Sequence, residues 1–180
     1  MEKGKRMKSI EEIMSNIVWT TGSTSEVKKK IKELEETDPR WDAESERSLW
    51  IRWGRKQLPQ RILNTACLVI TRATYGETTK MGDIKSMSLG ASHNTMFTLL
   101  DHFSQLCIDK KWPFYPSCIT DKDGVVPSGC LAWLIKNGHL PSVPVDHIKT
   151  VQEECFKSVF VPNGHEVALA VAEHIYLYKL

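Results

Sequence analysis

The sequence predicts a mainly α-helical fold with one small β-hairpin, an α+β arrangement within 180 residues. Apolar residues recur at spacings of three and four along most of the chain, which is the periodicity of amphipathic helices. An Asp-Gly pair at Asp123–Gly124 lies between short apolar runs, and this dipeptide is typical of a hairpin turn. Apolar residues make up 41% and charged residues 26%, as in a globular domain that has its own core.

Two helices are predicted before residue 40. The first spans Ser9–Trp19, where apolar residues follow helical spacing, and a polar Thr-Thr-Gly-Ser segment ends it. The second spans Glu26–Glu36, with Thr24 or Ser25 as its N-cap and Asp38-Pro39 at its end. Its apolar stripe is narrow, so most of this helix is expected to be solvated.

The stretch Trp41–Lys56 is rich in tryptophan and is predicted to be helical. Trp50 and Trp53 lie three positions apart and share one face. Because tryptophan buries a large area, this face is interpreted as core or protein interface rather than as a stacking platform for bases.

Glycine and proline residues mark the boundaries of the next helix. Gly54 and Pro59 are expected to bend or end the tryptophan-rich helix. Gln60–Thr71 then fits a buried helix, although Cys67–Ile70 is also compatible with a strand.

The central segment has the order turn, short helix, second helix, hairpin. Gly82–Met87 is predicted as the short helix, and Ser92 as the N-cap of a second helix whose apolar positions continue to Cys107. Phe114–Thr120 and Val125–Val126 are predicted as the arms of the hairpin. This order is the layout of a winged helix-turn-helix, with the hairpin as the wing.

Helices are also predicted after the central segment. Pro141 and Pro144 mark a linker, followed by helices at Val145–Phe160 and His165–Leu177. The predicted organisation is a helical N-terminal extension (1–60), a winged-helix-like core (61–138) and a C-terminal helical pair packing on the core (139–180).

Charge is unevenly distributed, although the net charge is only +2. Between Ile51 and Lys80 there are six basic residues and one acidic residue, whereas from His139 onward there are three basic and five acidic residues. A basic middle segment is compatible with a nucleic-acid-binding face and equally compatible with a solvated surface.

In a helix-turn-helix, the start of the second helix approaches base edges while cations and backbone amides hold phosphates. The free face of the second helix is expected to extend through Asp101, His102 and Gln105. The candidate nucleic-acid-binding residues, with duplex DNA as the predicted partner, are Arg52, Arg55, Lys56, Lys80, Ser92, His93, Asn94, Thr95, Thr98 and Lys122.

Several landmarks in the centre of the chain match a known pattern. Gly76, Gly82 and Ile84 keep the spacing of Gly-x-Val-x-Thr-Tyr-Gly-x-Ile-Ala, while Pro116 and Asp123–Gly124 match a Pro-Cys-His-Arg-Val stretch followed by Asp-Gly. Through these residues, residues 67–124 resemble the winged-helix DNA-binding domain of the alkylguanine-DNA alkyltransferases and the alkyltransferase-like proteins.

The departures from that pattern concern its chemistry. Met81 replaces the motif tyrosine, and Ser117 stands where the reactive cysteine is expected, with Cys118 one place later. Ile119 and Thr120 follow in place of His-Arg, and the spacing from Pro116 to Asp-Gly is one residue shorter. The resemblance therefore implies the winged-helix fold more than alkyl transfer, and the leading prediction is a non-catalytic nucleic-acid-binding protein or regulator.

Two alternatives stay open. Six tryptophans, four of them in the first third, suggest a small protein-interaction module or inhibitor from a mobile element, with Trp50 and Trp53 at an interface to a protein partner or in a homodimer. A cysteine-dependent enzyme using Cys118 is the other alternative, and it requires a base or cation beside the thiol.

Other classes of protein are disfavoured by what the sequence lacks. No apolar run approaches the roughly 18 residues of a membrane span, and Glu11 and Glu12 follow the basic N-terminus where a signal peptide has an apolar core. The five cysteines form no C-x-x-C pair, which suggests reduced thiols in a cytoplasmic protein. Neither a metal site nor a cofactor is predicted, because no histidine or cysteine spacing matches a zinc motif.

Overall fold

A computed structural model describes residues 24–87, 93–128, 132, 135–136, 145–178 and 180. Most of these residues are helical, so the predicted predominance of helix is confirmed. The predicted helix Ser9–Trp19, the N-cap Ser92 and the linker prolines lie outside the described residues.

The described helices are α1 (Thr24–Thr37), α2 (Ala43–Thr74), α3 (Met81–Met87), α4 (His93–Asp109), α5 (Val145–Phe156) and α6 (Gly164–Tyr178). Between α2 and α5 lie a 3-10 helix (Tyr115–Cys118) and two strands, β1 (Thr79–Lys80) and β2 (Ile119–Thr120).

Helix α2 is a single helix of 32 residues. Asp42 caps it by accepting a hydrogen bond from the Ser45 backbone N–H at 2.8 Å. The expected end between Gly54 and Pro59 is wrong, and the same helix continues through Cys67–Ile70. Pro59 removes one backbone hydrogen bond, but the turn around it is buried, and this packing offsets the loss. The predicted boundary at residue 60 therefore falls inside a helix.

The C-terminal half of α2 lies at the centre of the hydrophobic core. Its buried residues contact α4, α6 and the 3-10 helix, and α5 contacts α2 and the 3-10 helix. Phe103 of α4 and Val171 of α6 are 0% exposed in this cluster. The two C-terminal helices thus share the core of the central segment. The α2 residues in the core are Ile62, Ala66, Val69, Ile70 and Ala73.

The two strands form a parallel pair, with Thr79 opposite Ile119 and Lys80 opposite Thr120. The predicted hairpin between Phe114 and Val126 is therefore wrong, although its turn forms. Asp121 Oδ1 accepts from the backbone N–H groups of Asp123 (2.8 Å) and Val125 (2.9 Å), and Gly124 has a φ of 81°. The second arm contains only two apolar residues before Pro127, which has no N–H to donate, so β2 pairs with β1 instead.

The boundaries of the C-terminal helices follow local hydrogen bonds. Helix α5 ends at Phe156 rather than at the predicted Phe160, and the Ser158 hydroxyl donates to the Phe160 carbonyl at 2.7 Å. Asn163 caps α6 by accepting from the backbone N–H of Glu166 at 3.0 Å, and Glu166 accepts from that of Asn163 at 2.7 Å. This reciprocal pair is a capping box, and it fixes the start of α6.

Candidate nucleic-acid interface

Three of the predicted basic residues form an exposed face on α2. Arg52, Arg55 and Lys56 are exposed, and their spacing of three and four places them on one side of the helix. Arg61 does not belong to this face, because it is only 5% exposed and its guanidinium lies 5.3 Å from the centre of the Trp53 ring. Burial lowers the pKa of Arg61. The basic surface is therefore smaller than the charge count of the sequence suggests.

Two further lysines lie at one end of the small sheet. Lys80 is opposite Thr120, and Lys122 follows Thr120 by two residues in the turn. Both lysines are exposed. Because the strands are parallel, their carboxyl ends lie at the same edge, where α3 also begins. The structure thus places two lysines that are 42 positions apart in the sequence at the same end of the small sheet.

Helix α4 occupies the position predicted for the recognition helix. The backbone of His93, Asn94 and Thr95 belongs to its first turn, but their side chains and all of Ser92 lie outside the described residues. Thr98 is described and exposed. These residues therefore stay candidates, and the structure describes the helical backbone of His93, Asn94 and Thr95 together with the whole of Thr98.

The predicted free face of α4 is wrong at His102. This side chain is half-buried under α6, and its Nδ1 lies 3.0 Å from His174 Nε2. His174 is 3% exposed, and its Nδ1 lies 3.9 Å from Asp109 Oδ2. The Tyr178 hydroxyl donates to the same carboxylate oxygen at 3.1 Å. The His102 side of α4 is thus covered by the last helix, whereas Asp101 on the same helix is exposed.

The surroundings of the two histidines lower the pKa of both. Burial and the adjacent His102 lower the pKa of His174 to about 4, while Asp109 opposes this shift. Burial also lowers the pKa of His102, against the effect of Asp101. Sequence reasoning missed this pair, since the partners are 72 residues apart and follow no motif.

The predicted interface tryptophans are half-buried rather than fully buried. The rings of Trp50 and Trp53 meet edge to face at 5.8 Å, and Trp50 Nε1 donates to Glu46 Oε1 at 3.2 Å. Ile51 is 45% exposed beside them. A shallow depression of about 530 Å³ is lined by Ala43, Glu46, Arg47, Trp50, Ile51 and Gly54.

Cys118, the candidate nucleophile, is 0% exposed in the core. Its hydrogen bond with Cys155 and its burial raise the pKa of its thiol well above the ordinary value. Ser117 Oγ lies 3.9 Å from Cys155 Sγ. Reactive cysteines are accessible and lie beside cations, and Cys118 has the opposite environment.

Comparison with known proteins adds no family to these observations. Within the described ranges, no group of three or more histidine, cysteine or acidic side chains is placed to hold a metal ion. None of the described helices is both long enough and apolar enough to cross a membrane. No protein-family model, curated protein or solved structure matches the chain.

Proposed function

We propose that the protein is a non-catalytic regulator that binds duplex DNA through the exposed cations of α2 and of the small sheet. The observation that carries the proposal is the parallel pairing of β1 with β2. It places Lys80, the start of α3 and the turn that contains Lys122 at one edge of the sheet. It also joins the two sequence stretches, at Gly76–Ile84 and Pro116–Gly124, on which the resemblance to the alkyltransferase DNA-binding domain rests.

The charges at this edge suit contact with phosphates. Asp121 is oriented by its hydrogen bonds to backbone N–H groups of its own turn, and Asp83 pairs with Arg72. Lys80 and Lys122 stay exposed beside these carboxylates. The exposed face of Arg52, Arg55 and Lys56 supplies three more cations for the DNA backbone.

We expect the protein to bind a labelled DNA duplex with an affinity that falls steeply as salt increases. Replacing Lys80 and Lys122 together by alanine is expected to reduce the slope of log affinity against log salt by about 2, since each phosphate contact contributes about 0.9. Replacing Arg52, Arg55 and Lys56 by alanine is expected to weaken binding by roughly 10- to 100-fold at low salt. Fluorescence anisotropy over a salt series measures both effects.

The matched control replaces Lys28, Lys29 and Lys32, which are exposed on α1, by alanine. This variant loses as much charge as the α2 variant, and its affinity is expected to stay close to that of the unmodified protein. Absence of binding at low salt would overturn the proposal. Equal weakening by the α1 variant would show that net charge alone drives association.

The tryptophan face of α2 favours a second candidate function, a protein-interaction module that forms a homodimer. Ile51, which is 45% exposed, and Trp50 both line the depression, and tryptophan is enriched at the centres of protein interfaces. Glu46 and Arg47 place one charge of each sign on the same face, so a second, antiparallel copy of α2 can pair with both.

Light scattering tests this second candidate. We expect a dimer that Ile51→Glu converts to a monomer, because a buried unpaired carboxylate disfavours association. Ile135→Glu is the control, since Ile135 is similarly exposed at 44% and lies outside the depression. A monomer at every concentration, or a dimer unaffected by Ile51→Glu, contradicts this function.

A further inference from the structure

Three buried cysteines lie on the 3-10 helix and on the two helices, α4 and α5, that contact it. Cys107 is near the end of α4, Cys118 ends the 3-10 helix, and Cys155 is near the end of α5. Each is at most 2% exposed, and all three thiols are free. We propose that Cys118 and Cys155 form a reversible disulfide when the protein is exposed to peroxide, and that this bond stabilises the folded protein by joining α5 to the 3-10 helix.

Cys118 and Cys155 are in contact, although they are 37 positions apart in the sequence. Their thiols form a hydrogen bond with each other, and the Ser117 hydroxyl oxygen lies 3.9 Å from the Cys155 sulfur. One turn earlier on α5, Gln152 Nε2 donates to the Ser117 carbonyl at 2.7 Å. These contacts hold the end of α5 against the 3-10 helix and keep the two sulfurs adjacent, which a disulfide requires.

The two thiols differ in how readily they lose a proton. The hydrogen bond from Cys118 lowers the pKa of the Cys155 thiol against the effect of its burial, and the Ser117 hydroxyl adds to the lowering. The same hydrogen bond and burial raise the pKa of Cys118. Because the thiolate is the nucleophile, Cys155 is the cysteine that attacks the peroxide.

The oxidation proceeds in two balanced steps. The Cys155 thiolate attacks one oxygen of hydrogen peroxide, the O–O bond breaks, and the hydroxide that leaves takes up the proton that the thiol had lost. Cys155 is then a sulfenic acid. The Cys118 sulfur attacks the sulfenic sulfur, the S–O bond breaks, and the Cys118 proton leaves with the hydroxyl group as a second water. Both sulfurs are buried, so the reaction depends on local opening of the last turn of α5.

The bond restricts the unfolded chain, because it closes a loop of 37 positions. We expect oxidation to raise the Tm of the protein by roughly 5 to 15 °C, the shift that corresponds to a disulfide across a loop of this length. Dithiothreitol is expected to return the Tm to its original value.

Alkylation and mass spectrometry test the proposal on the unmodified protein. After treatment with hydrogen peroxide and alkylation in denaturant, we expect the protein to carry two fewer alkyl groups than the untreated protein. Peptide mapping without reductant is expected to identify a bridge between Cys118 and Cys155. Thermal unfolding followed by circular dichroism measures the change in Tm.

Cysteine variants separate this bridge from other oxidation products. Cys118→Ser and Cys155→Ser are each expected to abolish the bridge and the rise in Tm. Cys67→Ser is the control, because Cys67 is a free, half-buried cysteine on α2, and it is expected to keep both. A bridge that maps to Cys107, no loss of alkylated thiols, or an unchanged Tm contradicts the proposal. Mapping of the unmodified protein decides between these outcomes even if a serine variant does not fold.

Discussion

Replacing Tyr115 by alanine is expected to lower the free energy of unfolding by about 3–5 kcal/mol, the range for loss of a buried aromatic side chain. Tyr115 is 0% exposed and begins the 3-10 helix that contacts α2, α4 and α5. Its removal leaves a cavity where four elements meet, so the structure around it cannot easily collapse. Urea unfolding monitored by circular dichroism measures the change.

Two controls distinguish packing from other effects at Tyr115. The Tyr115 hydroxyl is 3.4 Å from the Phe160 carbonyl, a long hydrogen bond, so Tyr115→Phe is expected to lower stability by less than about 1 kcal/mol. Tyr75 is 78% exposed, and Tyr75→Ala is expected to change stability by no more than about 0.5 kcal/mol. If Tyr115→Ala were as mild as Tyr75→Ala, the 3-10 helix would not be part of the core.

The protein is expected to lose stability on acidification, and His174 is expected to account for up to about 3 kcal/mol of the loss. Its pKa is about 4 in the folded protein, below the ordinary value of 6.5. The unfolded state therefore binds more protons than the folded state as the pH falls below 6.5. The stabilisation is present in full above pH 6.5 and is lost as the pH falls towards 4.

The groups that face the two histidines come from both packed helices. Asp101 and Asp109 on α4 favour protonation of the histidine pair, whereas the histidines disfavour protonation of each other. Beside the histidines, Lys110 forms an ion pair with Glu173, and the charges of this pair cancel. Burial and mutual repulsion therefore decide the direction of the shift.

A pair of matched variants isolates this contribution from the titration of carboxylates. His174→Gln keeps a polar group near the position of Nε2 but does not titrate, so the fall in stability between pH 6.5 and 4 is expected to be smaller than in the unmodified protein. His165 is exposed, and His165→Gln is expected to leave the pH dependence unchanged. The same pH dependence in all three proteins would contradict the assignment to His174.

Most helices of this chain could be predicted because apolar spacing and helix capping, which favour them, involve residues only a few positions apart. Helix α4 has apolar residues at helical spacing, and α6 begins at an Asn163–Glu166 capping box. Pro59 does not end the helix, because its effect on a helix depends on the packing of the surrounding turn. The hairpin was misread because its turn forms, with Asp121 N–H donating to the Val125 carbonyl at 2.8 Å, while the strand partner of Ile119 is Thr79.

The candidate DNA-binding surface could be predicted only in part. The sequence identifies its basic residues, but the three-dimensional structure decides which are exposed. Arg52, Arg55 and Lys56 are exposed, whereas Arg61 is buried against Trp53. The sequence assigns His102 to the free face of α4, but in the structure α6 covers this side chain.

The sequence by itself determined that this protein is mainly helical, where most described helices lie, and that its middle segment is basic. Those properties follow from residues within a few positions of one another, since helix periodicity, capping and charge are local. The tertiary structure alone decided that β1 and β2 pair in parallel, that Lys80 and Lys122 share an edge, and that His102 meets His174. These contacts join distant segments, and the burial of apolar surface that selects them depends on the whole chain.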